Sequence, residues 1–212
     1  MRMTGTNRAA HAAVALFAAT GLALHFVVVL GHAGEVAVRT IRFLSYFTIL
    51  TNFLILASAL GMVAAKGRLT AIVARPGWRT AVTSNIIVVA LIYHLLLRDI
   101  VLPGAMGWWA NMLVHQLVPV AWTLCWLAFP PHGGIDRIAP LRWLLYPLLY
   151  GAWTLLHGAI AGWYPYPFMD VAAFGYPAVL RNLAVVALLF AALGYALRWA
   201  DARLARRGRG KR

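Results

Sequence analysis

Of the 212 residues, 63% are hydrophobic and only 11% charged, too little polar surface to cover a soluble globule, so the chain must be solvated largely by lipid. The net charge of +14 comes from 19 Lys and Arg against 5 Asp and Glu, but the basic residues are scattered between apolar runs and form no face that could grip nucleic acid. A single cysteine, Cys125, excludes an intramolecular disulfide, and no HExxH, CxxC or phosphate-loop pattern occurs, so neither a metal nor a cofactor is expected.

In chain order, hydropathy predicts membrane spans at about 11–30, 41–65, 80–102, 107–129, 141–162 and 177–199. Each is roughly 20 residues, the length that crosses about 30 Å of hydrocarbon as a helix. Backbone groups in lipid must pair within the chain, so these runs are read as helices. The expected fold class is all-α: one polytopic domain over 1–212, a bundle of six transmembrane helices, followed by a basic cytoplasmic tail at 200–212. The apolar run after Arg2 and Arg8 lacks a small-residue cleavage site and is read as a retained first helix, not a signal peptide.

Basic residues set the expected orientation. Arg2 and Arg8, then Lys66, Arg68, Arg75 and Arg79, then Arg137 and Arg142, and finally the tail share one side, which holds 15 of the 19. By the positive-inside rule that side is cytoplasmic, giving N-in and C-in topology in a cytoplasmic (inner) membrane, with the tail able to rest on anionic headgroups.

Polar residues within the spans are informative because they are costly in hydrocarbon. With about 1.5 Å of rise per residue, His25, Thr48, Asn52, His94, Asn111, His115, His157, Arg181 and Asn182 all fall in the outer half. The inner halves read as mostly Ala, Val, Leu and Trp. This asymmetry predicts a polar cavity open to the outer face or outer leaflet and lined by Thr48, Thr51, Asn52, His94, Asn111, His115, His157, Arg181 and Asn182, although any one polar residue could equally be an interhelical hydrogen-bond staple, the reading favoured for His25 or Asn182 alone.

Ser45, Thr48 and Asn52 fall three then four residues apart on one helix face, with Thr51 offset. A hydroxyl there becomes a nucleophile only beside a base, and His115 lies at matching depth. Asn52, Asn111 or Arg181 could stabilise an oxyanion. The segment from Gly162 to Asp170, GWYPYPFMD, alternates aromatics and prolines that cannot continue a helix. It reads either as an interfacial aromatic anchor or as a rigid lid carrying Tyr166 over the cavity, with Asp170 free to orient a histidine or to pair with Arg181. Asp99, next to Arg98, reads as a surface pair.

Three segments, FLSYFTILTN, NMLVHQLVP and GWYPYPFMD, occur in the same order in one family. Through them the chain resembles bacterial relatives of the androgen-induced-gene and FAR-seventeen-type membrane proteins. Animal members are transmembrane threonine hydrolases of fatty-acid esters of hydroxy fatty acids. The resemblance implies catalytic roles for His115, through His115, Val118 and Pro119, and for Thr48, in the Phe47-Thr48 pair; shifting the match by three residues selects Ser45 or Thr51 instead.

The resulting expectation is an intramembrane lipid esterase with Thr48 as nucleophile and His115 as base. Asn52, His94, Asn111, His157, Tyr166 and Arg181 would contact substrate. Its partners would be membrane lipids and a lipid-like substrate. A non-enzymatic lipid or small-molecule binder, or a small transporter, would use the same cavity, and the histidines could ligate haem or metal, although no two occupy one helix at ligand spacing.

Overall fold

The computed structural model describes residues 4–100 and 104–209, so Arg2, the end of the expected third span and the last three residues of the expected tail lie outside it. α1 (Gly5–Leu30) begins where the Thr4 hydroxyl accepts from the Asn7 N–H at 3.2 Å, six residues earlier than hydropathy places it. α2 (Val36–Leu44) is a short amphipathic helix with Arg39 and Arg42 among apolar residues. It departs from the expected second span, which therefore starts later, at α3 (Phe47–Ala64). The chain breaks at Ser45 and Tyr46, and the Ser45 carbonyl accepts from the Tyr150 hydroxyl at 2.9 Å. After α4 (Gly67–Val73) comes α5 (Pro76–Ile92), which runs into a π-helical turn, Tyr93–Leu97. A second π-helical turn, Leu113–Leu117, joins α6 (Gly104–Met112) to α7 (Val118–Ala128).

α8 (Ala139–Trp143) and α9 (Leu145–Ala161) follow almost without interruption. A 3₁₀ turn at Pro167–Met169 then leads into α10 (Val171–Arg209). α10 is broken at Gly175, whose φ of 73° and ψ of 158° suit glycine, and Pro177 restarts the helix where its missing N–H costs nothing. The segment expected to be a basic tail from residue 200 is instead helical through Arg209.

The chain is all-helical among the described residues. Five helical stretches among the described residues are long and apolar enough to cross a membrane: Gly5–Leu30, Phe47–Ala64, Pro76–Leu97, Ala139–Ala161 and Val171–Arg207. The expected fourth span falls on α6, the second π turn and α7 laid end to end. Val14, Ala18, Ile55, Ala59, Ile86, Val118 and Trp122 interlock in the core, whereas Leu16, Leu95, Leu148, Ile160 and Leu188 point outward, the inside-out exposure that lipid tolerates.

One end of the bundle collects the start of α1 and the end of α3, where Arg8 Nε donates to the Val63 carbonyl at 3.0 Å. It also collects the start of α5, where Arg79 donates to the carbonyls of Phe129 at 2.7 Å and of Pro131 and Cys125, each at 3.2 Å. The end of α10 joins them: Asp201 accepts from the Gly133 N–H at 2.7 Å and faces His132 Nδ1 at 3.2 Å. This end gathers the helix halves expected to be bland, and they are not. Asn7, His11, Arg79, Thr80, Thr83, Ser84 and Asp201 are all buried there. Hydropathy leaves Arg79 just outside the third span and Asp201 within the tail because its windows stop at charge, while α5 and α10 continue through both residues and bury them. Thr83 and Thr80 accept from the indole N–H groups of Trp122 and Trp126, each at 3.0 Å, so these polar residues are paired between helices.

Candidate functional site

Thr48 is the second residue of α3, in the first turn where backbone N–H groups have no helical partner. The N-cap, Tyr46, makes no side-chain capping bond. Tyr166, 118 residues downstream, takes that role: the Thr48 N–H donates to its hydroxyl oxygen at 3.2 Å. The Tyr166 hydroxyl also lies 3.4 Å from Thr48 Oγ1. Burial pushes the Tyr166 pKa up to about 12, so the phenol stays protonated and can donate to Oγ1 while its oxygen accepts from the backbone. Tyr166 stacks on Phe168 with ring centroids 5.4 Å apart and meets Tyr46 edge-on at 5.6 Å. The aromatic and proline segment therefore folds inward as a wall of the site.

His115 lies on the second π turn. Its Nδ1 is 3.3 Å from the Asn111 carbonyl, which can only accept, so Nδ1 carries the proton and Nε2 keeps the lone pair. The ring stacks on Tyr93, from the other π turn, with centroids 4.0 Å apart and planes 14° from parallel.

Asn52 ties the two elements together. At the second π turn the Val118 N–H bonds back to the Leu113 carbonyl, and Pro119 has no N–H to offer. The Val114 carbonyl is thus left without a helical donor, and Asn52 Nδ2 supplies one at 3.2 Å while also donating to the Thr48 carbonyl at 2.8 Å. One amide holds the backbone of Thr48 against the backbone beside His115.

Thr48 and His115 line a common cavity of about 110 Å³, together with His25, Tyr46, Tyr93, Asn111 and Tyr166. Comparison with protein-family models, curated proteins and solved structures finds no match. The site is therefore read from its own chemistry.

Of the sequence-predicted residues, the cavity gathers Thr48, Asn111, His115 and Tyr166, and Asn52 braces it from behind. The alternative hydroxyls do not line it: Ser45 Oγ donates to the Ile41 carbonyl at 2.8 Å, and Thr51 lies 3.5 Å from the Tyr146 hydroxyl. Three residues expected there lie elsewhere. His94 is exposed on an apolar groove between α5 and α7, with Nδ1 on the Ala90 carbonyl at 2.8 Å. His157 stacks on Trp153 at 5.8 Å, and Arg181 is exposed on α10. Asp170 does not pair with Arg181. Its Oδ1 accepts from the Ala172 and Ala173 N–H groups at 2.9 and 3.1 Å, capping α10.

Three residues that line the cavity, His25, Tyr46 and Tyr93, were missed. His25 enters because Gly21, one turn earlier, lets α1 approach the second π turn: a Cβ there would sit 2.9 Å from both Leu113 and Val114 side chains. Tyr93 enters because the π turn advances the helix phase by one residue.

Proposed function

We propose that the protein is an intramembrane hydrolase of lipid esters, with Thr48 as nucleophile and His115 as general base. The observation that carries the reading is the shared cavity, which Thr48 and a histidine with a backbone-fixed tautomer both line. In this reading Tyr166 donates to Thr48 Oγ1, leaving the threonine proton for His115 Nε2. Oγ1 attacks the ester carbonyl, and the developing oxyanion faces the N-terminus of α3, where the helix dipole favours negative charge. Collapse releases the alcohol with the proton that His115 returns. Water, activated by the same nitrogen, then hydrolyses the acyl-threonine.

The resemblance noted above supports the same pair. We further propose that α6, the second π turn and α7 form a sixth span, that both chain ends are cytoplasmic in a bacterial inner membrane, and that the substrate enters from the outer leaflet. The gathering of alternate helix ends with Arg8, Arg79 and Arg198 supports that topology.

A lipid-like fluorophosphonate tests the chemistry. Wild type is expected to form a Thr48 adduct, located by mass spectrometry, that Thr48→Ala and His115→Ala both abolish. A folded wild type that takes no label, or label unchanged in both variants, would leave the cavity as a lipid or small-molecule binding site.

A further inference from the structure

Beside the polar cavity lies a second chamber of about 70 Å³ between α5, α9 and α10. The two share Thr48, Leu97 and Tyr166 as a common wall. Their linings are of opposite character. The polar cavity presents His25, Asn111 and His115, whereas the second chamber presents Val88, Val89, Ile92, Leu183, Val186 and Phe190. Its one further hydroxyl, on Tyr150, is engaged with the Ser45 carbonyl. Only hydrocarbon can occupy such a space without leaving a polar group unpaired.

We infer that this chamber is the acyl-chain site of the proposed hydrolase, and that Gly151 sets the length of chain it admits. The assignment of acyl rather than alcohol portion follows from the order of bond changes. After attack the acyl group stays bound to Thr48 Oγ1 while the alcohol departs and water enters. The departing group needs the hydrogen-bonding side, and the retained group needs the apolar side. Gly151 is buried in the chamber wall, and a Cβ built on it would meet Leu183 at 3.9 Å, ordinary contact distance. A larger side chain there is therefore accommodated by the backbone but takes up chamber volume. This inference rests on the proposed hydrolysis for its orientation, but chain binding itself can be read separately.

The experiment uses alkyl fluorophosphonates of stepped chain length on the purified full chain. In the labelling step the Thr48 Oγ1–P bond forms, the P–F bond breaks, fluoride leaves and the threonine proton passes to His115. Gly151→Leu is expected to slow labelling by long-chain probes at least tenfold relative to wild type while short-chain probes still react. Val186→Phe, filling the chamber from α10, should shift the profile the same way and guards against a folding defect peculiar to Gly151. Binding of a fluorescent polyene fatty acid to Thr48→Ala gives a readout free of chemistry, and adding Gly151→Leu should abolish it. Wild type that takes no label, with polyene binding lost on adding Gly151→Leu, would defeat hydrolysis and keep the chain site. An unchanged length profile in both filling variants, with unchanged polyene binding, would overturn the chain site whatever the fate of the hydrolase.

Discussion

Asn52 has the most consequential hydrogen bonds of any single side chain near the site. Its amide satisfies a carbonyl that Pro119 and the π turn leave without a donor, in a place water does not reach. Asn52→Leu keeps the approximate volume and removes both donors. Interhelical bonds of this kind are worth about 0.6–2 kcal/mol in membranes. The variant should therefore unfold in detergent at a measurably lower temperature and also lose most of its fluorophosphonate reactivity, because Thr48 and the His115 turn are no longer tied. Lower stability with full reactivity would make Asn52 a staple and nothing more. At this scale the sequence placed Thr48, Asn111 and His115 by counting residues along helices, and Tyr166 by the proline-rich segment that cannot continue one. It did not distinguish His94 from His25. Counting gives height and not azimuth, and His94 faces the Pro119 groove because a π turn shifts the phase just where it begins.

The two π turns, Tyr93–Leu97 and Leu113–Leu117, bring Tyr93 and His115 into stacking and are the elements on which the cavity depends. Such turns are rare, occur mostly at functional sites, and carry one more residue than the α-helix they interrupt. Pro119 helps to hold the second one, since it cannot donate to the carbonyls that an α-helical continuation would pair. Pro119→Ala restores the N–H and allows the turn to relax, which rotates the preceding residues by about 100° per position gained. The expected result is loss of Thr48 labelling with thermal stability equal to or above wild type; labelling at the wild-type rate would show that packing against Gly21, not proline, holds the turn. Helix existence was legible because apolar length survives any phase error. The π turns, the break at Ser45 and Tyr46 and the amphipathic α2 were not, because they arise from tertiary contacts such as the Tyr150 bond to the Ser45 carbonyl.

Across the whole molecule, the candidate site and the buried charges occupy opposite ends of the bundle. Arg79 is 1% exposed, its guanidinium held by three carbonyls at the end of α7 and the start of the following loop. Asp201, also 1% exposed, accepts from the same loop through Gly133 and His132. The loop is thus clasped between α5 and α10, which fixes where α7 ends and α8 begins. Asp201→Ala leaves the partly buried Gly133 N–H without its acceptor, a cost of about 1 kcal/mol, the lower end of the range for a buried donor. That should lower the unfolding temperature in detergent while the rate of Thr48 labelling, measured well below that temperature, stays at wild type. If the distant labelling falls in step with stability, the two ends form one cooperative unit and the clasp helps to shape the cavity. If it does not, the clasp fixes the bundle and the chemistry belongs to α3, the π turns and the inward-folded Tyr166 segment alone.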